Sequence, residues 1–155
     1  MKSYTNIEQS KKLAEILPID SADMHYVRKT RDFMGNSVDG EWSHPKYGNP
    51  NSKYANYMVQ NFTTYETIPC WSLSALLNIL PETIEDEWAE YELIINMIYK
   101  KPEYVRLGDC HHSDFPSWDW DNEELLDNIV ESVIWLNNNG YLRSQPPTNE
   151  FVGLP

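Results

Sequence analysis

The chain has 155 residues, with 24 acids against 12 bases and a formal net charge of −12, a length that fits one domain able to bury roughly 70% of the surface its unfolded form exposes. Two cysteines, Cys70 and Cys110, are too few for a secreted disulfide scaffold and point to a reducing, cytoplasmic setting. No apolar run approaches the roughly 20 residues that span a bilayer, so no membrane association is expected.

The first predicted element is a helix. Thr5 and Glu8 have the spacing of a capping box, Ile7, Leu13, Ala14, Ile16 and Leu17 supply an apolar stripe, and Pro18 stops it. From Asp20 to about Thr67 the chain turns irregular, with short strands expected at Met24–Val27 and Tyr57–Thr64. A long irregular loop region at about 30–56 lies between them, rich in turn residues such as Gly35-Asn36, Asp39-Gly40 and Gly48-Asn49-Pro50. Pro69 suits the first turn of a second helix. Its Leu73, Ala75, Leu76, Leu77, Ile79 and Leu80 cover most of the circumference, which predicts burial.

Tyr91–Tyr99 and Tyr104–Leu107 read as a β-hairpin, Gly108–Asn122 as a loop, and a last helix runs from near Asp121 to near Gly140. On that helix Leu125, Leu126, Ile129, Val130, Val133 and Leu136 form one face. Asp127, Asn128, Glu131 and Ser132 form the other, and Trp135 falls on the polar side, where it should be covered by the preceding loop or by another chain. The class is α+β, about three helices packed on a small antiparallel sheet, in a single domain over 1–155.

Charge divides unevenly along this order. Residues 1–77 carry 8 acids and 8 bases, whereas residues 78–155 carry 16 acids and 4 bases. The excess lies in one half, at residues 82–92 and 109–131, and is expected to form one negative recognition surface. Affinity for nucleic acid comes largely from bases that neutralise phosphates, so nucleic-acid binding is disfavoured and a protein with a basic surface is the expected partner.

Cys110-His111-His112-Ser113-Asp114 is the densest cluster of reactive side chains. Cys110, His112 and Asp114 are the catalytic candidates, for a small hydrolase whose thiol is activated by a histidine held by a carboxylate. The same residue types ligate zinc, but a structural site wants four ligands in spaced pairs, and that spacing is missing; no metal or cofactor is expected. The readable signatures of hydrolases, P-loops and dinucleotide folds are also missing. Trp118-Asp119-Trp120-Asp121 alternates indoles with carboxylates, a pattern that suits either loop anchoring or a binding rim. With Glu123, Glu124 and Trp135 these four make up the candidate partner-binding set.

Ile68-Pro69-Cys70-Trp71-Ser72-Leu73-Ser74-Ala75-Leu76-Leu77-Asn78-Ile79-Leu80-Pro81, together with Tyr4–Pro18, Ser21–Met24 and, more loosely, Glu131–Leu142, resembles segments of a group of short uncharacterised proteins from gut Bacteroidales, often in prophages and mobile elements, which has no assigned activity. The resemblance implies an accessory protein of a gut bacterium or its mobile elements. The expected role is therefore non-catalytic recognition of a protein, with the hydrolase built on Cys110 and His112 and an immunity- or antitoxin-like acidic protein as alternatives.

Overall fold

The computed structural model describes residues 1–49, 63–106, 108 and 121–142. In chain order these form α1 (Ile7–Ala14), a 3-10 turn (Ile19–Ser21), β1 (Met24–Arg31), β2 (Lys46–Tyr47), β3 (Thr64–Cys70), α2 (Leu73–Ile79), β4 (Thr83–Glu85), β5 (Glu90–Asn96), β6 (Lys101–Arg106) and α3 (Leu125–Asn138). The class is α+β. The strands divide between two antiparallel sheets, ordered β2-β1-β3 and β4-β5-β6, each followed in the chain by a helix.

The start of α1 sets the plan of the N-terminal half. Asn6, one residue beyond the expected cap, accepts from the Gln9 backbone N–H at 2.8 Å while the Gln9 side chain accepts from Asn6 N–H at 3.0 Å, a reciprocal box that satisfies two otherwise free donors. Thr5 is thereby released for another task. It is fully buried; its N–H donates to the Trp71 carbonyl at 3.0 Å, and its Oγ1 accepts from Trp71 N–H at 3.1 Å and lies 2.8 Å from Ser10 Oγ. Its carbonyl accepts from Tyr26 Oη at 2.6 Å and from Cys70 Sγ at 3.5 Å. One residue thus joins α1, β1 and the end of β3.

Pro69 belongs to β3 and pairs with His25, and the helix it was expected to open begins at Leu73 behind a Ser72 cap. A proline lacks the N–H that a central strand must donate, but β3 is an edge strand and needs only one hydrogen-bonded side. Pro102 occupies β6, the edge of the second sheet, on the same terms. β1 runs on to Arg31, beyond the expected Val27, and the chain after it folds back: Val38, Gly40 and Ser43 N–H groups donate to Thr30, Lys29 and Val27 carbonyls. Gly40 is required there, since a Cβ would lie 2.5 Å from the Lys29 oxygen. Part of the region expected to be loop is therefore laid along a strand; of the strand expected at Tyr57–Thr64, residues 57–62 lie outside the described residues.

The hairpin expected from the tyrosine- and isoleucine-rich runs is β5–β6, and the segment at Thr83–Glu85 adds a third strand. Register puts Ile84, Tyr91, Leu93, Ile95, Pro102 and Tyr104 on one face. That face meets Leu126, Ile129, Val130, Val133 and Leu136 of α3 in the main core, with Leu13, Trp71 and Leu76. A smaller cluster, Met24, Tyr26, Ile68 and Cys70, lies under Ile7 and Trp42. α2 is half-buried, with Leu76 its fully enclosed residue.

Two residues assigned to the polar face of α3 are in fact enclosed. Asn128 and Ser132 are both 0% exposed. Asn128 donates to the Lys100 and Asn122 carbonyls at 2.7 and 2.9 Å and accepts from Asn122 N–H at 2.9 Å, filling its amide capacity while tying the β5–β6 turn to the approach of α3. Ser132 Oγ donates to the Asn128 carbonyl at 2.7 Å. The helix starts at Leu125, after Asp121, because Asn122 is held in this loop clamp.

Thr5→Val keeps the shape but leaves the buried Trp71 N–H without its acceptor, a loss of about 1–3 kcal/mol. Urea unfolding should show it, with Thr5→Ser retaining most of the stability; equal stability of Thr5→Val and wild type would reject the hub. Burial also holds the Cys70 thiol and the Tyr26 and Tyr104 phenols above their ordinary pKa values. The unfolded chain then ionises these groups first, so their contribution is complete below the ordinary thiol value of about 8.5 and is lost as pH rises through and beyond the ordinary phenol value of about 10. A urea midpoint that falls between neutral and strongly alkaline buffer is expected, with a shallower fall in Tyr104→Phe; a flat profile would contradict it.

Candidate protein-docking surface

The outward face of the second sheet is set by the same alternation that fills the core. Thr83, Glu92 and Val105 align across it, as do Glu85 with Glu90, Ile94 with Glu103, and Asn96 with Lys101. Four carboxylates therefore share this face with one ammonium, and Ile94 stands 45% exposed among them. Glu85 and Glu90 are directly opposed, a like-charge pair that costs stability in an antiparallel ladder.

Between them lies the tight turn Asp86–Ala89. Asp86 Oδ1 accepts from the Trp88 and Ala89 N–H groups, both at 2.8 Å, and Oδ2 from Tyr91 Oη at 3.2 Å. These bonds, that from Trp88 N–H first, hold the Asp86 carboxyl below the usual range. The turn is closed by Asp86, and the indole of Trp88 has no part in closing it. That indole is 78% exposed. Beside the turn, a depression of about 250 Å³ is lined by Thr83, Ile84, Glu85, Glu90, Gly140 and Tyr141.

The other end of the sheet has a comparable tip. Asn96 Oδ1 accepts from Ile98 and Tyr99 N–H at 3.1 and 3.2 Å, and Lys100 takes φ 51°. The turn is thus fixed by backbone and amide, while Met97, Ile98 and Tyr99 are exposed, Ile98 at 86%.

Of the residues singled out from sequence, Asp121 and Glu123 are exposed before α3, and the Glu123 carbonyl accepts from Lys100 Nζ at 2.9 Å. Glu124 accepts from Lys2 N–H at 3.1 Å and lies 3.9 Å from the Met1 amine; its neighbour Asp127 is paired with Lys2 Nζ at 2.8 Å and takes Gln9 Nε2 at 2.7 Å. Trp135 is half-buried against the core and stacked on Tyr141, ring centroids 5.7 Å apart. Cys110, His112, Asp114, Trp118, Asp119 and Trp120 lie outside the described residues.

Among the described acids, Glu85, Glu90, Glu92 and Glu103 share the sheet face turned away from α3, whereas Glu124 and Asp127 lie against the chain's own N-terminal segment. Cys70, the described cysteine, is a buried core residue whose thiol is pushed up by desolvation, the opposite of what a thiolate nucleophile needs. Trp88 was not singled out from sequence. Its signal was present all the same: an aspartate opening a four-residue turn makes an apolar third position unnecessary for the turn.

Comparison with protein-family models, with curated proteins and with solved structures gives no match. No described helix is long and apolar enough to cross a membrane.

Because Trp135 is only half-buried, Trp135→Ala should cost about half of the 3–5 kcal/mol typical of a fully enclosed aromatic, and Trp135→Phe less, as the stack on Tyr141 is partly kept. Thermal denaturation measures this; a Trp135→Ala variant as stable as wild type would show that the stack contributes nothing.

Proposed function

We propose that the protein is a non-catalytic recognition module that docks a protein with a basic surface, as an accessory factor of a gut bacterium or its mobile elements. The observation that carries the reading is the uncovered face of the second sheet, four glutamates in register around Ile94 with Trp88 exposed at its end. A face whose only task is solubility gains nothing from opposing Glu85 to Glu90, nor from leaving indole and aliphatic side chains in water on turns that aspartate and asparagine already close. Complementary charge speeds encounter with a basic partner, and exposed aromatic and aliphatic groups supply the desolvated contact. The source and mobile-element context rest on the resemblance of the Ile68–Pro81 segment.

Affinity capture from a gut Bacteroidales lysate, with the captured protein identified, expressed and titrated, tests this. The expected partner is basic and binds more weakly as salt rises. Combined replacement of Glu85, Glu90, Glu92 and Glu103 by Gln should slow association about tenfold or more, as steering charges do. A partner bound equally by wild type and this variant, with unchanged salt dependence, would overturn the assignment of this face.

A further inference from the structure

We infer that the free edge of β3 pairs with the same edge of a second copy of this chain, Tyr65 against Thr67, to form a two-fold dimer. The direction of each main-chain group follows from the ladder. Val27 N–H and C=O are engaged by Ser43, and the Lys29 carbonyl accepts from Gly40, so these residues of β1 point away from β3. The alternate ones, Met24, Tyr26 and Arg28, therefore exchange hydrogen bonds with Cys70, Ile68 and Glu66. That leaves Tyr65, Thr67 and Pro69 pointing out of the sheet. Trp71, next in this series, follows the same rule: its N–H and C=O are taken by Thr5. Pro69 has no N–H to offer, and among the described residues no group donates to or accepts from the outward main-chain groups of Tyr65 and Thr67. Thr67 is exposed and Tyr65 half-buried.

An unpaired edge is a template for another strand, and the pattern of this one is self-complementary. Antiparallel pairing about a two-fold axis at Glu66 sets Tyr65 opposite Thr67 of the second copy, and every outward N–H of the two residues then meets an outward C=O. The same register sets an aromatic side chain against a β-branched one, a favourable cross-strand pair. It also brings Glu66 opposite Glu66 of the second copy, which repels unless neutralised. The fold supplies the neutralisation. Arg28 Nε donates to Glu66 Oε2, and the guanidinium lies 4.9 Å from the Trp42 ring centroid, a contact that holds it in place. Two Arg28–Glu66 pairs side by side make an array without net charge, and each guanidinium has further N–H groups with which to reach the second carboxylate. A net charge of −12 opposes self-association, but β3 belongs to residues 1–77, in which 8 acids are balanced by 8 bases. Pro69 and the Thr5–Trp71 pair close the edge at one end, so the contact is short and the dimer dissociates on dilution.

Sedimentation velocity on the full-length protein from about 5 to about 500 μM, with amide hydrogen exchange followed by NMR at both ends of the range, tests this. Wild type should pass from monomer to dimer, and its Tyr65 and Thr67 amides should exchange about tenfold or more slower in the concentrated sample. Thr67→Pro removes an outward N–H and no bond of the β1–β3 ladder, and should weaken the dimer about tenfold or more. Thr67→Val keeps that N–H and should stay within about twofold of wild type. Arg28→Gln leaves the two Glu66 carboxylates unneutralised and should weaken the dimer about fivefold or more, whereas Arg28→Gln/Glu66→Gln removes both charges and should restore most of the loss. Thermal melts confirm folding, and if Thr67→Pro does not fold the Arg28 variants decide. A protein monomeric over the whole range, or a dimer whose Tyr65 and Thr67 amides exchange no slower than in the monomer, would overturn the pairing. So would a dimer indifferent to a folded Thr67→Pro or to Arg28→Gln, or a double variant no better than Arg28→Gln.

Discussion

The N-terminal half depends on a single buried seam. Thr5 exchanges main-chain and side-chain hydrogen bonds with Trp71 and receives the Tyr26 hydroxyl and the Cys70 thiol on its carbonyl. In a dry interior each of these polar groups costs one to several kcal/mol if left unpaired, so the seam forms as a set or not at all. Its completion puts α1 across β3, and it delivers Trp71, whose Nε1 donates to Ser21 Oγ at 2.9 Å, into the main core. The first sheet and the rest of the molecule are coupled through this residue, since Trp71 is the step from the smaller cluster around Cys70 to the larger one around α3.

Periodicity exposed the helices α1 and α3 and the hairpin β5–β6, because each buries one face and leaves the other in water. It misassigned what depends on tertiary partners. Pro69 looks like a helix opener to any local rule, and only the edge position of β3, a property of the completed sheet, makes it a strand residue. Asn128 and Ser132 look solvent-facing on a wheel because they are polar, yet Asn128 is enclosed by backbone groups of Lys100 and Asn122 that lie 28 and 6 positions away. The capping shift from Thr5 to Asn6 has the same origin: both residues can cap, and the demand of the Trp71 backbone for Thr5 settles which one does. Each half of the chain sets three strands ahead of a helix, but the first strand is central in one sheet and the second in the other, so the two units are not copies.

The candidate surface was legible in part. Charge counting found the acidic half of the chain, and it could not say that the acids separate into unlike environments. Glu124 and Asp127 are drawn into the chain's own architecture by Met1, Lys2 and Gln9, where they help fasten the N-terminal segment to the start of α3. Glu85 of β4 and Glu90 and Glu92 of β5 have no such use among the described residues, whereas Glu103 of β6 accepts from Asn96 Nδ2 at 3.3 Å. Alternation forces them outward because their neighbours in sequence, Ile84, Tyr91, Leu93 and Tyr104, are required inward.

That difference bears on why the second sheet, and not the acidic approach to α3, is the better docking surface. Carboxylates already partnered by an amine or an amide must give up that contact to receive a new cation, so their net gain on association is small. Carboxylates that repel one another across a ladder gain on receiving one. The side chains follow the same division: the Trp135 ring is committed to Tyr141 within the chain, whereas the Trp88 indole is held out by a turn whose hydrogen bonds are made by Asp86 and the backbone. Rigidity of that turn matters as much as exposure, because a side chain presented on a fixed backbone loses little conformational freedom when a partner covers it, and more of its contact energy then appears as affinity.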